Sequence, residues 1–193
     1  MGAGILPTAI YKNKLYFLFG RENQYEDSAP GFSDFGGGTD GSETYLQTAV
    51  REGSEELTGF LGNDRDLEKI LKHGTYNIDY TQNDHKTYRM HIFPMKYDSL
   101  LPYYYNNNQR FLQGRLDPVV IKNSKIFEKA EIRWICIDDI IKMKHEFRSY
   151  FQNIIEMIYK QKNEINKFIA NSAKHTLKKR HRKKGTEKRH RKK

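Results

Sequence analysis

The stretch from residue 36 to residue 59 constrains this chain more than any other. Three glycines, Gly36-Gly37-Gly38, lead into a run with helical spacing, in which Leu46, Ala49, Val50 and Leu57 keep to one side. Gly53 lies inside that stripe. Asp40 reads as an N-cap with Glu43 completing a capping box, and Thr58-Gly59 reads as the C-terminal stop. At about 100° per residue, Glu52, Glu55 and Glu56 fall on one helix face, roughly 5–6 Å apart at their Cβ atoms. The helix can bury one side and present an acidic patch beside it. Three acids at this spacing usually form a solvated face. The other reading is a site for a hard divalent cation, which takes oxygen ligands.

The flanks read as strands. Ile5 to Ile10 and Leu15 to Phe19 bracket the polar turn Lys12-Asn13-Lys14, and residues 21–40 are loop-like. Thr75 to Tyr80 and Thr87 to Met95 are strand-like around the turn at residues 82–85. Residues 98–118, rich in Tyr and Asn, read as a long loop. Ala130 to Ile137 alternates as a late strand ending at Asp138-Asp139. Phe147, Tyr150, Phe151, Ile154, Ile155 and Ile158 then predict a core-facing helix from about Glu146 to Ile169.

Gly37, Glu43, Arg51-Glu52 and Glu55-Glu56 stand at the offsets of a Nudix box, and on these residues the chain resembles the Nudix hydrolases. The opening strands ending in Gly20-Arg21 and the late strand carrying Glu131-Ile132-Arg133-Trp134 extend the resemblance over most of residues 1–160. The pattern departs from the box at three places. Gly53 stands where an aliphatic residue is usual, Gly59 lies one position late, and Phe35-Gly36-Gly37 replaces Pro-Gly-Gly.

The resemblance implies an α/β fold, an α/β/α sandwich with a mixed sheet, over residues 1–172. It implies hydrolysis of a pyrophosphate linkage with Mg²⁺ or Mn²⁺ held by Glu52, Glu55 and Glu56 and by a carbonyl of Gly36 or Gly37. Glu43 and Arg51 would pair structurally. Glu56 is the first candidate for general base, and Glu128 and Glu131 are the alternatives. Arg21 would contact a substrate phosphate or pair with an acid such as Glu22.

Other candidates read more plainly. His91 sits in an alternating strand, as structural histidines do, and Tyr103-Tyr104-Tyr105 either stacks a base or covers the core edge. Cys136, the only cysteine, lies among Trp134, Ile135 and Ile137 and reads as an inert buried thiol. A lone cysteine forbids an internal disulfide and suits a reducing, intracellular setting, cytoplasmic or nuclear. No stretch approaches the ~20 apolar residues of a membrane span, and no signal peptide is evident.

Charge is sharply segregated. Residues 174–193 carry 12 Lys/Arg against one acid, Glu187, a net of +11, which leaves −1 for residues 1–173. The tail, taken from residue 173, repeats one hexapeptide: Lys179, Arg180, Arg182, Lys183 and Lys184, then Lys188, Arg189 and Arg191. Such a polycation binds nucleic acid non-specifically or serves as a nuclear localisation signal. Substrates therefore divide into RNA, such as a 5′ cap, and small molecules. The latter are nucleoside diphosphate derivatives, dinucleoside polyphosphates or diphosphoinositol polyphosphates. A Nudix-like module that binds nucleotide or RNA without turnover is the alternative to an enzyme.

Overall fold

The computed structural model describes residues 1–25, 29–81, 86–124 and 128–172. The expected tail at 173–193 and the turn at 82–85 lie outside the described residues. Strands β1 (Gly2–Tyr11) and β2 (Lys14–Glu22) form a hairpin. Lys12 and Asn13 both take positive φ, 47° and 60°, as a two-residue turn matching strand twist requires. Two short strands, β3 (Phe32–Ser33) and β4 (Phe35–Gly38), interrupt the expected loop. They are too short to leave an alternation in the sequence.

The described strands make one mixed sheet of seven, with β5 (Tyr76–Thr81), β6 (Thr87–Pro94) and β7 (Lys129–Cys136) completing it. β1 runs parallel to β6 and antiparallel to its other partners. One edge of β1 is shared. Its last residues pair with β2, and its first, Gly2 to Ile5, pair with β4. β2 pairs with β7 along its other edge and, past this divergence, with β3. The candidate site sits where these strands part.

Alternation divides the core between the two faces of the sheet. Ala3, Ile5 and Leu18 face α1 (Tyr45–Glu56) and α2 (Asp64–Lys72), together with Ala49, Val50 and Leu67. Leu6, Phe17 and Phe19 face Phe151, Ile154, Ile155 and Ile158 on the opposite side. The result is the expected α/β/α sandwich. Among the described residues no helix is long and apolar enough to cross a membrane.

Three helical expectations are corrected. Residues 98–118 are not a loop: α3 (Leu100–Gln113) and α4 (Pro118–Asn123) occupy most of the segment and its sequel. Asn and Tyr have low helix propensity, but packing overrides it. Tyr105 and Gln109, one turn apart, are fully buried, and the Asn106 side chain bonds both the N–H and the C=O of Ile132 on β7. After β7 comes the short α5 (Ile137–Ile140). The long final helix is broken, with 3₁₀ turns at Lys144–Glu146 and Ser149–Phe151 preceding α6 (Gln152–Lys160). A turn at Gln161 then leads into a further helix over 162–172. Finally, α1 starts four residues later than expected. Thr44 is its N-cap, and Gln47 closes the capping box. Asp40 and Glu43 form a separate turn, in which Glu43 Oε2 accepts from the Asp40 N–H at 3.1 Å.

Candidate active site

The late start of α1 leaves Glu43 outside the helix, free to face Arg51 eight residues on. Its carboxylate accepts from Arg51 Nε at 2.9 Å and Nη2 at 3.0 Å, a two-pronged pair. Arg51 holds the Glu43 carboxyl down at about 2, helped by the Asp40 N–H. Arg51 also donates to Glu52 Oε1 at 2.7 Å and to the Gly38 carbonyl at 3.0 Å, tying the glycine strand to the helix.

The three box acids part company. Glu52 lies against β4, where a Cβ on Gly37 would come within 2.6 Å of its carboxyl. Glu56 is buried at the end of α1. Glu55 stays on the outer side, its side chain 38% exposed and 3.5 Å from Arg51 Nη1. The third acid facing Glu52 and Glu56 is Glu128. One ligand atom from each of Glu52, Glu56 and Glu128 lies within 4.8 Å of the others. Glu55 is absent from that group: the three box acids span about 100° of helix, and Glu55 lies at the exposed end of that arc beside Arg51. Gly36 is registered opposite Gly4 and packed by the Tyr88 hydroxyl, so Gly37 is the glycine that abuts the acids.

Lys129 gave no signal in the sequence. It is fully buried, and its Nζ donates to Glu22 Oε2 at 2.7 Å and Ser33 Oγ at 3.1 Å, with Glu56 Oε1 also at 3.1 Å. A bulge puts it there. Arg21 pairs with Glu131 and Glu22 with Lys129, leaving Ala130 as an extra residue. Ile132 faces α1, and three residues away on a regular strand Lys129 would face α6. The bulge turns it to the α1 side. Arg148 Nη1 meets Glu22 Oε2 at 3.1 Å from the far end of the cluster. Burial pushes the Glu56 carboxyl up to about 8; the Lys129 ammonium opposes this, and the charges of Glu22 and Glu128 add to it. Among the described residues, Glu56 Oε2 has no hydrogen-bond partner. An ionised carboxylate buried among acids is costly, and either a proton or a bound cation relieves that cost. The donor set, all carboxylate oxygens, suits Mg²⁺ or Mn²⁺.

The remaining candidates scatter. Arg21 bonds Glu146 at 3.0 Å and lies over the Phe32 ring, and it lines a cleft of about 190 Å³ with Asn106, Arg110, Ala130 and Glu131. Glu131 accepts from Arg133 at 3.0 Å. His91 is buried on β6, its Nδ1 3.2 Å from Thr75 Oγ1, and burial lowers its pKa to about 4. Tyr105 is buried and donates to the Glu56 carbonyl at 2.7 Å, whereas Tyr103 and Tyr104 are exposed. Cys136 is a free, buried thiol.

The box departures have local explanations. Gly53 packs on β1: a Cβ there would lie 2.4 Å from Ile5 Cδ1, so a strand side chain fills the space of the missing aliphatic residue. Thr58, which occupies the usual glycine position of the box, has φ 47°, and Gly59 follows at 79°. Two consecutive left-handed residues thus follow the helix, and threonine bears the first.

The architecture is similar to RenU, a Nudix hydrolase from M. smegmatis, with a TM-score of 0.51 at 16% identity, covering 86% of this chain and 87% of that one. It is also similar to an Ap4A hydrolase from C. elegans, at TM-score 0.48 and 13% identity, over 82% and 95% of the two chains. The likeness to RenU defines the class: this chain has the Nudix fold. No protein-family model and no curated protein matches it by sequence.

Proposed function

We propose that this chain is a divalent-metal-dependent Nudix hydrolase that cleaves a pyrophosphate linkage in a nucleoside diphosphate derivative, with Glu52, Glu56 and Glu128 holding the ion. The observation that carries the reading is the convergence of these three carboxylates, one of them buried with an unpartnered oxygen. When bound there, Mg²⁺ or Mn²⁺ would polarise a phosphoryl oxygen and make a bound water more acidic.

The chain's own groups do the rest. Gly37 lets Glu52 approach the cleft, and Arg51 fixes its angle from behind. Glu128 completes the set of three ligands, while Glu131 pairs with Arg133 and Glu56 with Lys129. Arg21, Asn106 and Arg110 line a polar cleft beside Ala130, suited to further phosphates of the substrate. The basic tail favours RNA among the substrates, since 12 cations would hold an RNA body by counterion release while the acids act at its 5′ end.

The test is hydrolysis of a panel of pyrophosphate compounds with Mg²⁺ or Mn²⁺. Glu52→Gln and Glu56→Gln are expected to lower kcat by more than about 100-fold, beyond what loss of a supporting partner costs. Glu55→Gln is expected to lose much less. Equal losses at all three would count against Glu128 as the third ligand. Removing residues 174–193 is expected to weaken RNA binding and flatten its salt dependence while sparing small substrates. Equal loss on both would refute the division of labour.

A further inference from the structure

The buried ammonium of Lys129 stands beside, not within, the group of acids that would hold the ion. Its three N–H bonds are spent on Glu22, Glu56 and Ser33, at 2.7–3.1 Å, so none is left for a substrate. Its shell is three protein oxygens, two of them carboxylate, with no water-accessible surface. That is the surrounding of a bound cation rather than of a surface ion pair. Glu56 bridges, since Oε1 meets the ammonium while the same carboxylate offers a ligand atom to the group of Glu52 and Glu128. Carboxylates bridge neighbouring metal ions in the same manner, at separations of about 3.5–4 Å. A strand bulge is the structural device that brings the side chain here.

We propose that Lys129 is a resident cation, occupying the place between Glu22 and Glu56 where a divalent ion would otherwise bind, and that it thereby limits how many ions the acidic cluster holds. Lys129 is a positioning residue. By holding Oε1 it leaves Oε2 of Glu56 as the single oxygen presented to an ion beside Glu52 and Glu128. The inference rests on those three acids being a cation site and goes further in fixing the occupancy of the neighbouring place.

The experiment counts Mn²⁺ equivalents by the EPR signal of free ion, on the full chain and its variants. Lys129→Ala is expected to bind one more Mn²⁺ than the native protein, and its melting temperature is expected to rise more on adding Mn²⁺. Lys129→Arg, which keeps the charge, is expected to retain the native count. The charge-balanced double variant Lys129→Met with Glu22→Gln is also expected to retain the native count, and an extra ion there would overturn the proposal. If Lys129→Ala is unfolded without metal, refolding on Mn²⁺ addition, followed by circular dichroism, supports the proposal. Remaining unfolded with Mn²⁺ overturns it, as does a folded Lys129→Ala with the native count. Native protein that takes up no Mn²⁺ overturns the cation site itself and this inference with it. Native uptake with an unchanged variant overturns only the role of Lys129.

Discussion

The carboxyl of Glu52 fills the space that a side chain on Gly37 would need, for a Cβ there would lie 2.6 Å from both Cδ and Oε1 of Glu52. The obstacle is the end of a flexible side chain, so Gly37→Ala should displace the acid and keep the fold. Activity and Mn²⁺ affinity are expected to fall about 10–100-fold, the usual cost of moving a ligand's support. The melting temperature should stay near that of the native chain. A fully active Gly37→Ala protein would show that Glu52 does not need this position.

Gly53 and Ile5 are complementary in size. Gly53→Ala gains helix propensity but drives a methyl into a buried isoleucine, and net destabilisation of about 1 kcal/mol is expected. Ile5→Val removes the Cδ1 that lies closest. The double variant should therefore be more stable than the sum of the single changes by at least about 0.5 kcal/mol. Urea unfolding of the four proteins measures the coupling, and simple additivity would mean that the contact exerts no strain.

Thr58 is a β-branched residue at φ 47°, and its hydroxyl is buried without a hydrogen-bond partner. Thr58→Gly relieves both, against a higher entropy in the unfolded chain. A stabilisation of about 1 kcal/mol is expected. A lower urea midpoint for the variant would contradict the strain.

The Glu43 carboxyl is held at about 2 by Arg51, below its ordinary 4.5. A carboxyl depressed in the folded state stabilises above its unfolded pKa, and the contribution is lost as pH falls through the folded one. The difference in melting temperature between the native chain and Glu43→Gln should therefore be constant above about pH 5.5, shrink from there down, and vanish near pH 2. A difference that is flat across that range would mean that the pair does not stabilise the fold.

Local chemistry was legible in the sequence. The hairpin at Lys12-Asn13, the acidic helix with its stop at Thr58-Gly59, and the stripe from Phe147 to Ile158 follow from turn preference and periodicity. The box offsets pointed to Glu52 and Glu56, which the fold brings together, and to the pair of Glu43 with Arg51. The start of α1 is ambiguous in sequence because two capping boxes, Asp40 with Glu43 and Thr44 with Gln47, stand back to back. Only the contact with Arg51 separates them. Residues 98–118 carry no helical signal because Tyr and Asn favour no helix, and the packing of Tyr105 and the bonds of Asn106 to β7 come from elements distant in sequence.

The sequence by itself determined which groups could carry charge onto the face of one helix, because side-chain spacing along a helix is fixed by its geometry. The tertiary structure decided which of those groups meet. Glu55 stays outside, while Glu128 and Lys129 arrive from the start of β7, more than 70 positions downstream of Glu56. The last of these depends on a single extra residue, Ala130, that reverses the direction of a side chain. Alternation in sequence carries no mark of such a bulge, because the pairing that creates it belongs to the partner strand as much as to its own.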